Sequence, residues 1–297
     1  MGARCTQLIP DCKRFKIFDN FASHLKMKKI LILLLLAVSG MTSSAQTMEV
    51  GVFGGLSYYL GELNPAVHFR KSKPAYGALA RININSRWSL KASVLRGKVA
   101  GDDLKINYNT VTGLNFESPV TDVAFVGEFN FFDYFTGSKR DRFTPYIFGG
   151  IGMSWFNPSS GGVKLHDAGT EGQNVGFDGR KPYKLYTFTI PFGIGFKYSL
   201  SSRFSVSGEW GMRKAFTDYL DDISTTYYLV GSQINPANTD EVLSDPTLSH
   251  DPYMERGDPA TKDWYNFTGI TLTYKFRLFG GRGCPDQQGS AVGKVRR

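Results

Sequence analysis

The stretch Tyr186-Thr187-Phe188-Thr189-Ile190-Pro191-Phe192-Gly193-Ile194-Gly195-Phe196-Lys197-Tyr198 separates into two faces. Every second residue from the first, namely Tyr186, Phe188, Ile190, Phe192, Ile194, Phe196 and Tyr198, is large and apolar, while Thr187, Thr189, Pro191, Gly193, Gly195 and Lys197 between them are small or polar. Side chains alternate across a strand, so this is a two-faced strand of the length that crosses a bilayer when tilted, about 9–11 residues. Tyrosine closes both ends of the apolar face, as in the aromatic girdles that border a lipid-facing band. A soluble sandwich strand alternates too, but rarely runs so long with this much aromatic bulk on one side. The rest of the chain decides between them.

Seven further stretches carry the same period of two. Met48 to Leu60 sets Met48, Val50, Val52, Leu56, Tyr58 and Leu60 against Glu49, Gly51, Phe53, Gly55 and Ser57. Tyr76, Ala78, Ala80, Ile82 and Ile84 oppose Arg81 and Asn83; after the tight turn Asn85-Ser86-Arg87, Trp88, Leu90, Ala92 and Val94 oppose Lys91 and Ser93. Val123, Phe125, Phe129 and Phe131 alternate with Asp122, Ala124, Val126, Glu128 and Asn130. Thr144 to Phe156 is a strand whose faces Gly149, Gly150 and Gly152 leave undecided. Phe204, Val206, Trp210 and Met212 face away from Ser205, Ser207, Glu209 and Arg213, and Ile270, Leu272, Tyr274 and Phe276 away from Gly269, Thr271, Thr273 and Lys275.

The connections run long, short, long, medium, long, short, long, with polar segments at about 100–118 and 218–263. That asymmetry predicts an all-β fold: an eight-stranded antiparallel transmembrane β-barrel with short periplasmic turns and long extracellular loops, spanning residues 46–277. Its inward set, Glu49, Arg81, Lys91, Glu128, Lys197, Glu209, Arg213 and Lys275, is expected to pair as a lumen polar network. An eight-stranded interior is just wide enough for side chains to fill, and charges taken from water are tolerated when paired. A passive channel is the competing reading of the same charges.

At the other end of the chain, Lys28-Lys29, the apolar run Ile30 to Val38 and the small residues ending at Ser43-Ser44-Ala45 read as a secretory signal peptide over residues 27–45, with cleavage near Ala45. Met27 stands where such a peptide starts, so residues 1–26 read as a mis-assigned extension. The net charge of +9 falls to +4 without residues 1–45, and a further +3 lies in the tail, residues 278–297. A near-neutral body is no argument for nucleic-acid binding. Cys5 and Cys12 lie in the extension, leaving Cys284 in the tail as a free thiol or half of an intermolecular disulfide.

Several segments resemble a Bacteroidota outer-membrane β-barrel family that includes PorG-like components of the type IX protein secretion system. They are Tyr58-Tyr59-Leu60-Gly61-Glu62-Leu63-Asn64-Pro65, Glu128-Phe129-Asn130-Phe131-Phe132, Thr144 to Gly152, Gly169-Thr170-Glu171-Gly172-Gln173, Ile190 to Lys197, and Glu209 through Asp222. The resemblance implies location in the cell outer membrane, with outer-membrane lipid as one partner and periplasmic secretion ring proteins of the PorK and PorN type as another. It brings no catalytic residue and no cofactor. The basic tail after Phe276 departs from the terminal aromatic residue common in barrels. It is read as a flexible periplasmic peptide available to a partner, whose deletion should weaken ring association while leaving the barrel folded.

Asp218, Asp221 and Asp222 mark a rim or partner contact, read as solvated or arginine-paired in preference to a calcium site, because their spacing is not that of an EF-hand loop. Gly169 to Gln173 reads as a loop turn in preference to a surface-binding loop. His68, His166 and His250 all fall in loops, none beside a serine-and-acid arrangement, and no metal-ligand or nucleotide motif appears, so no enzyme activity is expected. The alternatives to a secretion anchor are an independent structural or small-solute transport barrel and an outer-membrane lipid-modifying enzyme.

Overall fold

A computed structural model describes residues 47–102 and 112–277. The extension, the signal peptide, the tail and all three cysteines lie outside the described residues. Eight long strands carry the fold: β1 (Thr47–Leu60), β2 (Lys73–Asn83), β3 (Trp88–Asp102), β4 (Asn115–Asn130), β5 (Phe143–Phe156), β8 (Tyr186–Ser199), β9 (Phe204–Ala215) and β10 (Trp264–Arg277). β6 (Ser159–Ser160) and β7 (Val163–Lys164) form a small hairpin between β5 and β8. Each long strand pairs antiparallel with its neighbour in sequence. β1 pairs with β10 along its whole length, Thr47 opposite Arg277 and Leu60 opposite Trp264, which closes the barrel.

The period of two sets the register of burial. In β8 the seven residues from Tyr186 to Tyr198 that read as one apolar face all point outward, and Thr187, Thr189 and Lys197 point in. Val52, Phe125, Ile151, Phe188, Ile194 and Ile270, on β1, β4, β5, β8 and β10, are each more than half exposed, and exposed apolar residues on the other strands join them. A water-soluble monomer does not expose apolar area on this scale. Aromatic residues border the belt at the short-turn end: Trp88 packs on Phe129 at 5.0 Å, Phe143 pairs with Tyr198, and Phe204 packs on Tyr274 at 5.2 Å. Trp155 opposite Tyr186 marks the long-loop end.

β5, whose faces the sequence leaves undecided, turns Thr144, Tyr146, Phe148, Ser154 and Phe156 inward and Ile147, Ile151 and Trp155 outward. The inward aromatics fit because glycines oppose them. A Cβ at Gly195 would lie 2.7 Å from the Tyr146 ring, and one at Gly211 2.8 Å from Phe148 Cζ. Small residues on β8 and β9 thus make room for large ones on β5.

Two expectations are corrected. The polar segment at 100–118 is partly sheet, because β3 and β4 remain paired as far as Asp102 opposite Asn115. Tyr58 points outward but is fully buried: the first long loop folds back outside the barrel, placing the Phe69 ring 5.0 Å away, His68 Nδ1 3.0 Å from the Tyr58 hydroxyl, and leaving that hydroxyl to accept from Trp210 Nε1 at 2.9 Å.

Candidate functional site

Six of the eight inward charges expected to pair meet in one network near the short-turn end. Arg81 Nη1 lies 3.0 Å from Glu49 Oε2 and its Nε 2.8 Å from Glu128 Oε2. Lys197 Nζ sits 2.6 Å from Glu128 Oε2, and Lys91 Nζ reaches Glu209 at 2.6 Å and Glu128 at 3.4 Å. Three carboxylates face three cations, all buried. Neutral partners complete the set: Asn83 Nδ2 donates to Glu49 at 2.9 Å and the Tyr146 hydroxyl to Glu209 at 3.0 Å. An ion network this well bonded offsets the cost of leaving water.

The other two cations sit elsewhere. Arg213 forms a separate layer nearer the long loops, its Nε 3.6 Å from Asp122 Oδ1, while Asp122 Oδ2 accepts from Tyr265 at 2.8 Å and Ser154 at 3.0 Å. Lys275 donates to the Thr136 carbonyl. Thr136 belongs to the medium turn, which enters the barrel floor: its hydroxyl donates to Glu49 Oε1 at 2.6 Å, and Tyr134 beside it is buried. The turn's role was not legible from its composition, since Tyr134 and Thr136 follow no strand period.

An apolar cluster joins the strands to the long loops. Phe53, Leu95, Val99 and Phe116 from the strands pack with Leu63 from the first long loop and Leu220 and Ile223 from the last. The last loop, residues 216–263, therefore packs Leu220 and Ile223 against inward-facing residues of the strands. A core at the mouth follows from these loop residues being apolar where their neighbours are acidic.

The acidic neighbours are not a solvated rim. Asp218, Asp221 and Asp222 are all buried, and consecutive residues diverge at Asp222, whose φ is 68°. Asp222 joins Glu171 around Arg256: Arg256 Nη1 lies 3.1 Å from Glu171 Oε1, Nη2 lies 3.8 Å from Asp222, and the Tyr183 hydroxyl donates to Asp222 at 2.7 Å. Burial pushes the Asp222 carboxyl up to about 6 although Arg256 opposes it. Glu171 also accepts from the Ser224 and Thr225 amides at 2.8 and 3.0 Å. The Gly169 to Gln173 segment is thus an internal clamp, with Thr170, Glu171 and Gln173 buried, and it presents no binding surface of its own. Arg256, which sequence reading missed, stands 85 residues from Glu171.

Asp218 and Asp221 turn the other way, towards Glu62 and Asp263. The Tyr59 hydroxyl lies 2.5 Å from Asp221, 3.0 Å from Asp263 and 3.3 Å from Glu62. Burial, then the neighbouring Glu62, holds Asp218 up at about 7; burial and the adjoining carboxylates push Asp221 and Asp263 well above the ordinary aspartate range. His68, His166 and His250 bond Tyr58, Asp167 with the Tyr183 carbonyl, and Asp245 with Thr247.

The model of one protein family, described as a domain of unknown function, DUF6089, matches residues 28–285. The chain belongs to the DUF6089 family. No curated protein matches the sequence of this DUF6089 member. Solved structures similar to it include the N-terminal β-barrel domain of OprF from Pseudomonas aeruginosa, at 9% identity and a TM-score of 0.37, covering 78% of this chain and 98% of that one. Ail, the attachment invasion locus protein of Yersinia pestis, is similar at 9% identity and 0.40, covering 78% and 100%. Neisserial surface protein A is similar at 8% and 0.39, covering 78% and 98%. The strand pairing of the DUF6089 chain itself establishes the barrel.

Proposed function

We propose that this protein is a non-enzymatic outer-membrane barrel whose lumen is structural and whose work is done by its surfaces, anchoring or organising a type IX secretion assembly in the manner of PorG-like proteins. The observation that carries the first part is the lumen itself. An ion network at the floor, a turn inserted beneath it and a loop core at the mouth place side chains inside the barrel at both ends. The exposed apolar belt supports seating in lipid. In that seating the short turns face the periplasm and the long loops the outside.

The secretion role draws its support from the family-like segments, several of which now have structural tasks: Glu171 clamps the loops and Glu209 bonds Lys91. The partners proposed are outer-membrane lipid and periplasmic ring proteins of the PorK and PorN type. Affinity purification of the tagged protein from its native outer membrane, with identification of co-purifying chains, tests this. Recovery of ring components supports the anchor; recovery of the barrel alone, under conditions that preserve such assemblies, overturns it in favour of an independent structural barrel.

A further inference from the structure

The Glu171 clamp shows how this chain satisfies a buried acid, with an arginine and several amide donors. The cluster on the other side of the same loop is built differently. Glu62, Asp221 and Asp263 surround the single Tyr59 hydroxyl, which has one proton to give, and Asp218 stands beside Glu62 and Asp263. Amides of Leu220 and Ile223 serve Asp263 and Asp221 at 2.9 and 3.0 Å, and Ser224 serves Asp218 Oδ2 at 2.9 Å. None of the ion pairs among the described residues includes any of the four.

One oxygen is left over. Asp218 Oδ1 is buried and has no hydrogen-bond partner, although the residue is only 2% exposed. The same carboxylate groups with Glu62 and Asp263, with one oxygen from each lying within 4.8 Å of the others. Calcium binds oxygens at about 2.3–2.6 Å, so ligands on opposite sides of one ion stand up to about 5 Å apart. A single ion therefore reaches all three, and an unsatisfied carboxylate oxygen held out of water is the ligand it needs.

We propose that Glu62, Asp218 and Asp263 bind a hard divalent cation of the calcium type at the long-loop mouth. The ligands come from the first long loop and from both ends of the last, so the ion ties the loop that carries Leu220 and Ile223 to the barrel rim. All-oxygen ligation selects calcium-like ions over thiophilic ones, and flexible loop carboxylates suit calcium better than the strict octahedron of magnesium. The external medium, which the long loops meet in the proposed seating, supplies such ions at the millimolar level where loop sites of this kind work.

The test uses the full chain refolded into lipopolysaccharide-free detergent, with its folded state checked by heat-modifiable gel mobility. Terbium chloride, a luminescent calcium substitute, is titrated with excitation of tyrosine, because Tyr59 lies against the site; calcium chloride then competes. The expected result is saturable terbium luminescence displaced by millimolar calcium, weakened about tenfold in D218N, and retained in E171Q, which alters the neighbouring arginine-paired acid. Hydrogen exchange across residues 216–263 should slow on adding calcium to the wild-type chain. Wild-type luminescence no greater than that of folded D218N, or loop exchange indifferent to calcium, would overturn the proposal.

Discussion

Lys197 Nζ lies 2.6 Å from Glu128 Oε2 with both side chains essentially inaccessible to solvent. Glu128 also holds Arg81 and Lys91, so one carboxylate on β4 ties three other strands together from inside. Removing a partner from a buried pair strands the charges left behind, at about 3–5 kcal/mol. Glu128→Ala should lower the unfolding free energy in urea by about that amount. Lys98→Ala, which breaks the exposed 2.7 Å pair with Glu117, should stay within about 1 kcal/mol of wild type. Equal losses in the two variants would contradict the network's role.

On the outer face, Ile194 is 58% exposed and sits near the middle of the band bounded by Tyr186 and Tyr198. An arginine at mid-membrane depth costs about 2–4 kcal/mol, falling to about 0–1 at the interfaces. Ile194→Arg should therefore destabilise the barrel in bilayers far more than Tyr186→Arg. Refolding equilibria in lipid vesicles read the difference, and a reversed order would place the band elsewhere.

Gly195 faces Tyr146 so closely that an added Cβ would sit 2.7 Å from its ring. Gly195→Ala should force Tyr146 away from Glu209 and cost about 1–3 kcal/mol by overpacking. Gly54, on the outer face with nothing within 4 Å of an added Cβ, is the control and should tolerate alanine. Unfolding midpoints compare the two directly.

Asp245 organises the turn before His250, accepting from the Ser249 and His250 amides at 2.9 and 2.8 Å and pairing with His250 Nδ1 at 2.9 Å. Burial alone would raise its carboxyl, but these His250 and Thr247 bonds outweigh it and hold the group below the ordinary aspartate value. The folded turn thus binds the proton less readily than the unfolded chain. Its stabilisation is complete above the unfolded value of about 3.9 and is lost as pH falls below it, through the folded one. Hydrogen exchange over residues 244–251, corrected for intrinsic rates, should show protection at pH 5 that is lost near pH 3; protection that rises on acidification would reverse the sign.

The faces of β8, β9 and β10 were legible because alternation is a local property, and the charges on the inner face had nowhere to go but the lumen. β5 was not, since its inward Tyr146 and Phe148 depend on glycines in strands some 45 or more residues later. Asp122 was legible as inward-facing, yet its partnership with Arg213 and Tyr265 came only from closure of the sheet. The loops obey no period. Asp218, Asp221 and Asp222 look like one acidic rim in the sequence, but the backbone reverses at Asp222 and sends them to two different clusters. Tyr58 likewise reads as a belt residue until the first long loop covers it.

The claim that the lumen is a support and not a path is tested most directly by single-channel recording of the purified barrel in a planar lipid bilayer. A lumen closed by the Glu49–Arg81–Glu128–Lys197 floor and the Leu220 and Ile223 core should pass no steady current across the physiological voltage range. A reproducible ohmic conductance from the folded wild-type protein would contradict the account.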